Sequence, residues 1–324
     1  MIGFINFPSW ISPAVIPGLP IRWYGIMYLV AFGVTFVLFQ HEVRRRGQVV
    51  DRNQIADFFF WTILGLLLGG RLLHVLVVDS SGEYLSQPWM IVWPFEDGRF
   101  TGIQGMSYHG GLVGAVIAAV TYTRVRKLDT LDWGDTLAVS APLGYMFGRL
   151  GNFINGELSG RVTTVPWGVL FPTARRYPAA DPWVRGFADA VGVPIYDPAQ
   201  LVNLPRHPSQ LYEALLEGVV LWLVLWFVFR KRRPFKGALV ALYVTGYGIA
   251  RFMAGYFRET NEAEGFVVSL GERSMAPALV SHGLELTGGQ VISLGMIAVG
   301  IALLVVFRLL HKPPLTVETF DYTE

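Results

Sequence analysis

Apolar residues run along this chain in blocks of about twenty, the length that crosses a hydrocarbon core of about 30 Å as a helix. Seven such spans are predicted, at 21–40, 58–78, 108–123, 136–154, 211–229, 237–257 and 290–306, the third being short. Basic clusters follow every second span: Arg44, Arg45 and Arg46; Arg124, Arg126 and Lys127; Arg230 to Arg233 with Lys236; Arg308 and Lys312. With seven spans all four clusters fall on one side, which short basic loops assign to the cytoplasm. Losing any internal span would put clusters on opposite sides. The expected fold is all-α and polytopic, with the N-terminus outside and the C-terminus inside. The outer side then receives the N-terminal stretch, the 79–107 loop, the 155–210 segment and the 258–289 loop. The 155–210 segment, rich in proline and aromatic residues, is expected to be a small folded cap inserted into a single membrane domain covering 1–324.

Composition agrees with that class. The 324 residues are 52% hydrophobic, 14% aromatic and 15% charged, against about 25% charged in soluble domains. Mean hydropathy is +0.44. A net charge of +2 names no partner, and no nucleic-acid-binding signature is present, so nucleic acid is not an expected ligand. The absence of cysteine excludes disulfides, thiolate metal sites and an enzyme-borne thiol nucleophile. The six histidines form no HExxH pair, so a zinc protease has no support. No basic n-region precedes a short apolar run at the N-terminus, so no cleaved signal peptide is expected. Gly65/Gly69, Gly110/Gly114 and Gly144/Gly148 place glycines one turn apart and are read as helix contacts.

The candidate chemistry lies in the outer half of the membrane. The fourth span leaves through Arg149, Asn152, Asn155, Glu157 and Arg161 rather than through neutral residues. A charge at bilayer depth costs at least ~2.5 kcal/mol and marks function by default. Arg149 falls near the outer end of its span, and Arg251 about two turns below the outer end of the sixth. His109 and Tyr24 fall in outer first turns, and Arg71 past the midpoint of the second span. Asn152, three residues after Arg149, shares its face. Tyr247, Arg251, Gly255 and Arg258 recur at helical spacing as one stripe, and Gln210, Glu213 and Glu217 as another.

Each residue has a plainer reading. Arg149 and Arg251 could be structural ion pairs, but two intramembrane arginines suit an anionic ligand better. Arg258 divides evenly between binding and snorkelling. Glu213, Glu217 and Arg71 read as counter-charges and helix contacts, and Tyr24 alone as an interfacial anchor. His109, behind the predicted N-cap Ser107, reads alone as a hydrogen-bonded interfacial histidine; the arginines in its company raise the reading as a general base. Together they suit a phospholipid phosphate held by arginine. With no Ser–His–Asp order and no enzyme thiol, the nucleophile is expected on a second substrate. The predicted reaction class is transfer from a phospholipid, with arginine stabilising the phosphate-bearing product.

Specific runs carry a resemblance: Trp23-Tyr24-Gly25, Gly69-Gly70-Arg71, MSYHGGL at 106–112, GRLGNFINGELSG at 148–160, RHPSQLY at 206–212, and Tyr247-Gly248 with Arg251-Phe252. With these, in order over most of its length, the chain resembles the prolipoprotein diacylglyceryl transferases. The resemblance implies seven spans with a periplasmic N-terminus in the bacterial inner membrane, and an active site toward the periplasm. It implies transfer of a diacylglyceryl group from phosphatidylglycerol to the lipobox cysteine of a prolipoprotein signal peptide, giving a thioether and glycerol phosphate, without metal or cofactor. By matched position it points to His109, Arg149 and Arg251 as essential, with Tyr24, Asn152, Glu157, Tyr247 and Arg258 near the site. In one departure, Gly255 stands where relatives commonly carry glutamate, leaving Glu259 or Glu262 as expected substitutes in pairing Arg251 or Arg258; the 258–289 loop is also long for the family. The competing readings are a phospholipid transporter or flippase using the same arginines for a headgroup, and a structural membrane subunit. The lack of an internal repeat weighs against repeat-built transporter folds.

Overall fold

Large apolar side chains cover the outside of the helices: Leu29, Leu76, Phe227 and Leu309 are 64–78% exposed. Glu42, Gln210, Glu213, Glu217 and Gln290 are at most 1% exposed. Apolar-out, polar-in burial is the arrangement that hydrocarbon solvent demands. The structure, a computed structural model, describes residues 3–16, 18, 21–48, 50–79, 83–91, 93, 95–96, 99–100, 105–259, 266–270 and 284–311.

The long helices are α1 (Trp23–Arg45), α2 (Arg52–Leu73, followed by a π turn to Val78), α3 (Tyr108–Val125) and α4 (Thr130–Asn155). After the short helix α5 (Pro182–Val191) come α6 (Ser209–Phe229), α7 (Ala238–Gly255) and α8 (Gly288–Leu310). Among the described residues five helices are long and apolar enough to cross a membrane: α1, α2, α6, α7 and α8. The third and fourth predicted spans are helical, but α3 is diluted by glycine and polar ends, and α4 carries Asp132, Asp135 and Arg149. The apolar count of seven therefore reduces to five by length and composition.

Helix α4 begins at Thr130, six residues before the predicted 136, because Asp129 caps it through the Asp132 N–H at 3.0 Å. The fully buried Asp135 carboxylate accepts the N–H groups of Gly237, Leu239 and Val240 at 2.8–2.9 Å, so a charge in α4 serves as the anion at the start of α7. Three of the four basic clusters meet at this end: Arg45, Arg46 and Arg230 on Glu42, Arg46 and Arg233 on Asp132, Lys236 on Asp129, and Arg126 on Asp57.

Glycines decide the helix contacts. A Cβ on Gly69 or Gly114 would run into the Gly110 or Gly65 carbonyl across the α2–α3 crossing, and one on Gly144 would strike Thr35 of α1. Gly148 is different: a Cβ there meets nothing within 4 Å, so the packing role expected of it does not hold.

The segment between α4 and α6 has its own core of Val162, Tyr177, Ala179, Val184, Ala188, Val202 and Leu204, against which Trp183 and Phe187 pack. Tyr177–Pro178 pairs with Leu201–Val202, and the N-terminal Ile5–Asn6 pairs in parallel with Val169–Leu170. In the last loop Phe266–Leu270 pairs with Leu284–Thr287.

Candidate functional site

The end of α4 is built by its glycines. Gly156 adopts φ 70°, a left-handed conformation that closes the helix, and its N–H returns to the Asn152 and Phe153 carbonyls. The following turn is fastened to the start of α6 by Ser209 Oγ on the Leu158 carbonyl (3.0 Å) and Gln210 Nε2 on the Glu157 carbonyl (2.6 Å). Gly160 then pairs with Arg258 just beyond α7, and the Arg161 N–H donates to the Phe257 carbonyl at 2.9 Å. The single stretch 148–161 thus runs from α4 past α6 to the end of α7, and brings their charges together.

The centre is Glu213, which is 1% exposed. Its Oε1 accepts from Nη1 of Arg251 at 2.5 Å and Nη1 of Arg258 at 3.1 Å, and its Oε2 lies 3.0 Å from Nη1 of Arg149. Arg251 Nη1 also reaches Glu217 at 3.4 Å. The Tyr145 hydroxyl accepts from Arg149 Nε at 2.7 Å and from its Nη2, and donates to Glu217 at 2.6 Å. Its ring lies 4.9 Å from the Arg149 guanidinium carbon. Tyr247 joins through its hydroxyl, 3.1 Å from that of Tyr145 and 3.5 Å from that of Tyr108. Arg149, Arg251 and Arg258 keep side-chain exposures of 13%, 20% and 28%. A phosphate approaching them therefore meets partly accessible donors on a prearranged frame.

The expected residues separate into groups. Arg149, Arg251, Arg258 and Tyr247 come together at this centre. Asn152 and Glu157 form a second pair, Nδ2 to Oε1 at 2.7 Å, and Asn155 adds a bond at 3.4 Å. Among the described residues Glu157 pairs with neither Arg149 nor Arg161; Arg161 instead donates to the Arg258 carbonyl at 2.9 Å. Tyr24 bonds Tyr28 at 3.0 Å, and its ring lies 3.2 Å from where a Cβ on Gly151 would sit, one residue before Asn152. His109 stands apart. Ser107 caps its helix as expected, accepting the Gly110 N–H at 3.3 Å, but the imidazole is exposed and forms no hydrogen bond among the described residues. Its neighbour Tyr108 is the one that reaches Tyr247.

Two expectations need correction. Arg258 does not extend a stripe of α7, because that helix ends at Gly255; it reaches Glu213 from the segment beyond. Glu259 does not replace a carboxylate at 255: it pairs with the fully buried Arg206 at 2.5 Å and accepts from Tyr177 at 2.7 Å. Glu262 lies outside the described residues. Space at Gly255 is filled by Gln290, whose Cγ would lie 2.7 Å from an added Cβ. Arg71 donates to the carbonyls of Met90, Ile91 and Gly105 at 2.6–3.1 Å. Sequence reasoning missed Tyr145, although it lies one turn before Arg149; an aromatic residue in an apolar span reads as packing.

His207, buried beside Gly160, packs on Phe257 and Tyr212. Burial, and then the Arg161 charge, hold its imidazole below the usual histidine range. The unfolded chain therefore binds the extra proton first. The stability this neutral histidine contributes is complete above about pH 6.5 and falls as pH drops through that value toward its folded pKa. Thermal melting in detergent is expected to fall between pH 7.5 and 5, and less so in His207→Gln.

Helices that are apolar outside and charged within, around three arginines converging on one carboxylate, define an integral membrane protein whose centre is suited to an anionic group. Residues 13–306 match the family model for prolipoprotein diacylglyceryl transferase. The chain is 44% identical to the phosphatidylglycerol–prolipoprotein diacylglyceryl transferase of Treponema denticola, covering 96% of this chain and 97% of that protein. It is 43% identical to that of Treponema pallidum (95% and 96% covered) and 39% identical to that of Chlorobaculum tepidum (93% and 91%). The chain belongs to the prolipoprotein diacylglyceryl transferase family.

Proposed function

We propose that the chain transfers the diacylglyceryl group of phosphatidylglycerol to the thiol of a prolipoprotein's lipobox cysteine, with Arg149, Arg251 and Arg258 receiving the lipid phosphate. Family membership supports the transferase activity and its two substrates. The observation that carries the assignment of the site is the convergence of three arginines from α4, α7 and the segment beyond on the Glu213 carboxylate.

The thiolate attacks the glyceryl carbon bonded to the phosphate oxygen. A carbon–sulfur bond forms, the carbon–oxygen bond breaks, and its electron pair leaves on the oxygen of glycerol phosphate. The phosphate gains negative charge as it leaves, and guanidinium donors fixed beforehand stabilise it without reorganisation. The thiol, with a usual pKa near 8.5, must lose its proton first. His109 is the proposed base; its exposure leaves the imidazole open to an incoming thiol. Tyr24, Asn152 and Glu157 are proposed to line the substrate's path beside the arginines, and Tyr247 to hold Tyr145.

We read the chain as seven spans in the bacterial cytoplasmic membrane, with α3 and α4 crossing alongside the five more apolar helices. The 155–210 segment then covers the site on the periplasmic side. The meeting of three of the basic clusters at one end supports this reading, as does the pairing of the N-terminal strand with Val169–Leu170.

Incubating pure protein with phosphatidylglycerol and a lipobox peptide tests the activity. Glycerol phosphate is expected to appear while the peptide mass rises by one diacylglyceryl unit. A protein that only moves lipid leaves both reactants intact. His109→Gln is expected to lower turnover at least about 100-fold; near-normal turnover removes His109 from the role of base.

A further inference from the structure

We propose that Glu213 sets the charge of the arginine centre so that it accepts a singly charged phosphodiester and releases a doubly charged phosphate monoester. The proposal rests on the transfer reading above and makes Glu213 a positioning residue, acting through the arginines.

Arg149, Arg251 and Arg258 face Glu213 and Glu217, which leaves one positive charge in excess. A phosphodiester carries one negative charge and neutralises that excess. Cleavage of the carbon–oxygen bond places the bonding pair on a phosphate oxygen, while the thiol proton departs on the base. The monoester so formed carries up to two negative charges, one more than the centre can neutralise. It then lies among guanidiniums still shared with a carboxylate that is 1% exposed and so is weakly screened by solvent.

The geometry at Glu213 fits a group that yields its partners and takes them back. All three arginines contact this one carboxylate. Its Oε2 is buried and lies 3.0 Å from Arg149 Nη1, yet no N–H is directed at it. A carboxylate this deeply buried is costly to leave without its cationic partners, so Glu213 favours recovery of its arginines when product leaves. Glu217 is placed otherwise: its Oε2 takes the Tyr145 hydroxyl at 2.6 Å, and its contact with Arg251 is the longer one at 3.4 Å. Removing the Glu213 charge would match the centre to the monoester instead of the diester. Product would then hold the arginines.

The test is rapid-quench kinetics with phosphatidylglycerol and a lipobox peptide on Glu213→Gln. In this variant the first turnover is expected to outrun its own steady rate at least about tenfold, a burst absent from the unaltered protein. Added glycerol phosphate is expected to inhibit at a concentration lower by about tenfold, without a matching fall in the KM for phosphatidylglycerol. A purely structural role would weaken both substrate and product. Glu213→Asp keeps the charge and is expected to show neither the burst nor the tighter product. Equal slowing of the first and later turnovers, unchanged inhibition by glycerol phosphate, or a burst in Glu213→Asp as well would overturn the proposal. If the unaltered protein forms no glycerol phosphate, the transfer reading itself fails, which is a separate outcome.

Discussion

Arg149→Ala is expected to lower turnover by about three orders of magnitude, the cost of removing a charged donor from a developing oxyanion. Arg149 is tied on one edge to the Tyr145 hydroxyl and at Nη1 to Glu213, so its guanidinium is oriented before substrate arrives. The alanine variant still folds, because Glu213 keeps Arg251 and Arg258 as counter-charges. Its monodisperse elution and thermal melt in detergent should stay close to those of the unaltered protein. Arg149→Lys retains a charge but loses the fork that a phosphate accepts in two bonds, and is expected to recover only a small part of the rate. Retained turnover in Arg149→Ala would remove this residue from the phosphate.

Gly160→Ala is expected to lower both rate and stability, for a steric reason. A Cβ at this position would strike the Phe257 carbonyl and lie 2.6 Å from that of His207. Both obstacles are backbone, so neither can rotate away. The Gly160–Arg258 bridge would open, and with it the geometry that carries Arg258 to Glu213. Displacement of a substrate-holding group by about 1 Å costs roughly 100-fold in rate, and overpacking costs about 1–3 kcal/mol of stability. Glycerol phosphate release should fall by that factor, and melting temperature should fall with it. Gly148→Ala, one residue before Arg149 and facing open space, is the matched control and should fold normally.

The sequence announced the helices and the chemistry more clearly than their partnerships. Apolar runs fell on each of the seven long helices among the described residues, five of them long and apolar enough to cross a membrane, because lipid imposes a side-chain pattern that needs no tertiary contact to be visible. It set the start of α4 six residues late, because the interactions that extend it, the Asp129 cap and the N–H groups of α7 on Asp135, involve polar groups that an apolar pattern scores as loop. The charged residues at 149, 251 and 258 stood out because a membrane tolerates few of them. Their common partner did not: Glu213 is one of two glutamates a turn apart on α6, and only packing shows that three arginines share it. Arg258 looked like the end of a helical stripe, since spacing cannot register that α7 stops at Gly255. The repeated glycines were likewise ambiguous in sequence. Gly144 admits a neighbouring helix, Gly148 faces open space, Gly156 turns the chain and Gly160 lets two backbones pass.

The parallel pairing of Ile5–Asn6 with Val169–Leu170 sets an order of assembly. The first strand leaves the ribosome long before its partner, and at synthesis rates of about 5–20 residues per second it waits on the order of ten seconds or more. Through that interval it has no mate, while α1 to α4 are made. The amino-terminal segment therefore pairs only after α1 to α4 and the turn beyond α4 have been made, and its docking reports that this first part of the chain is in place.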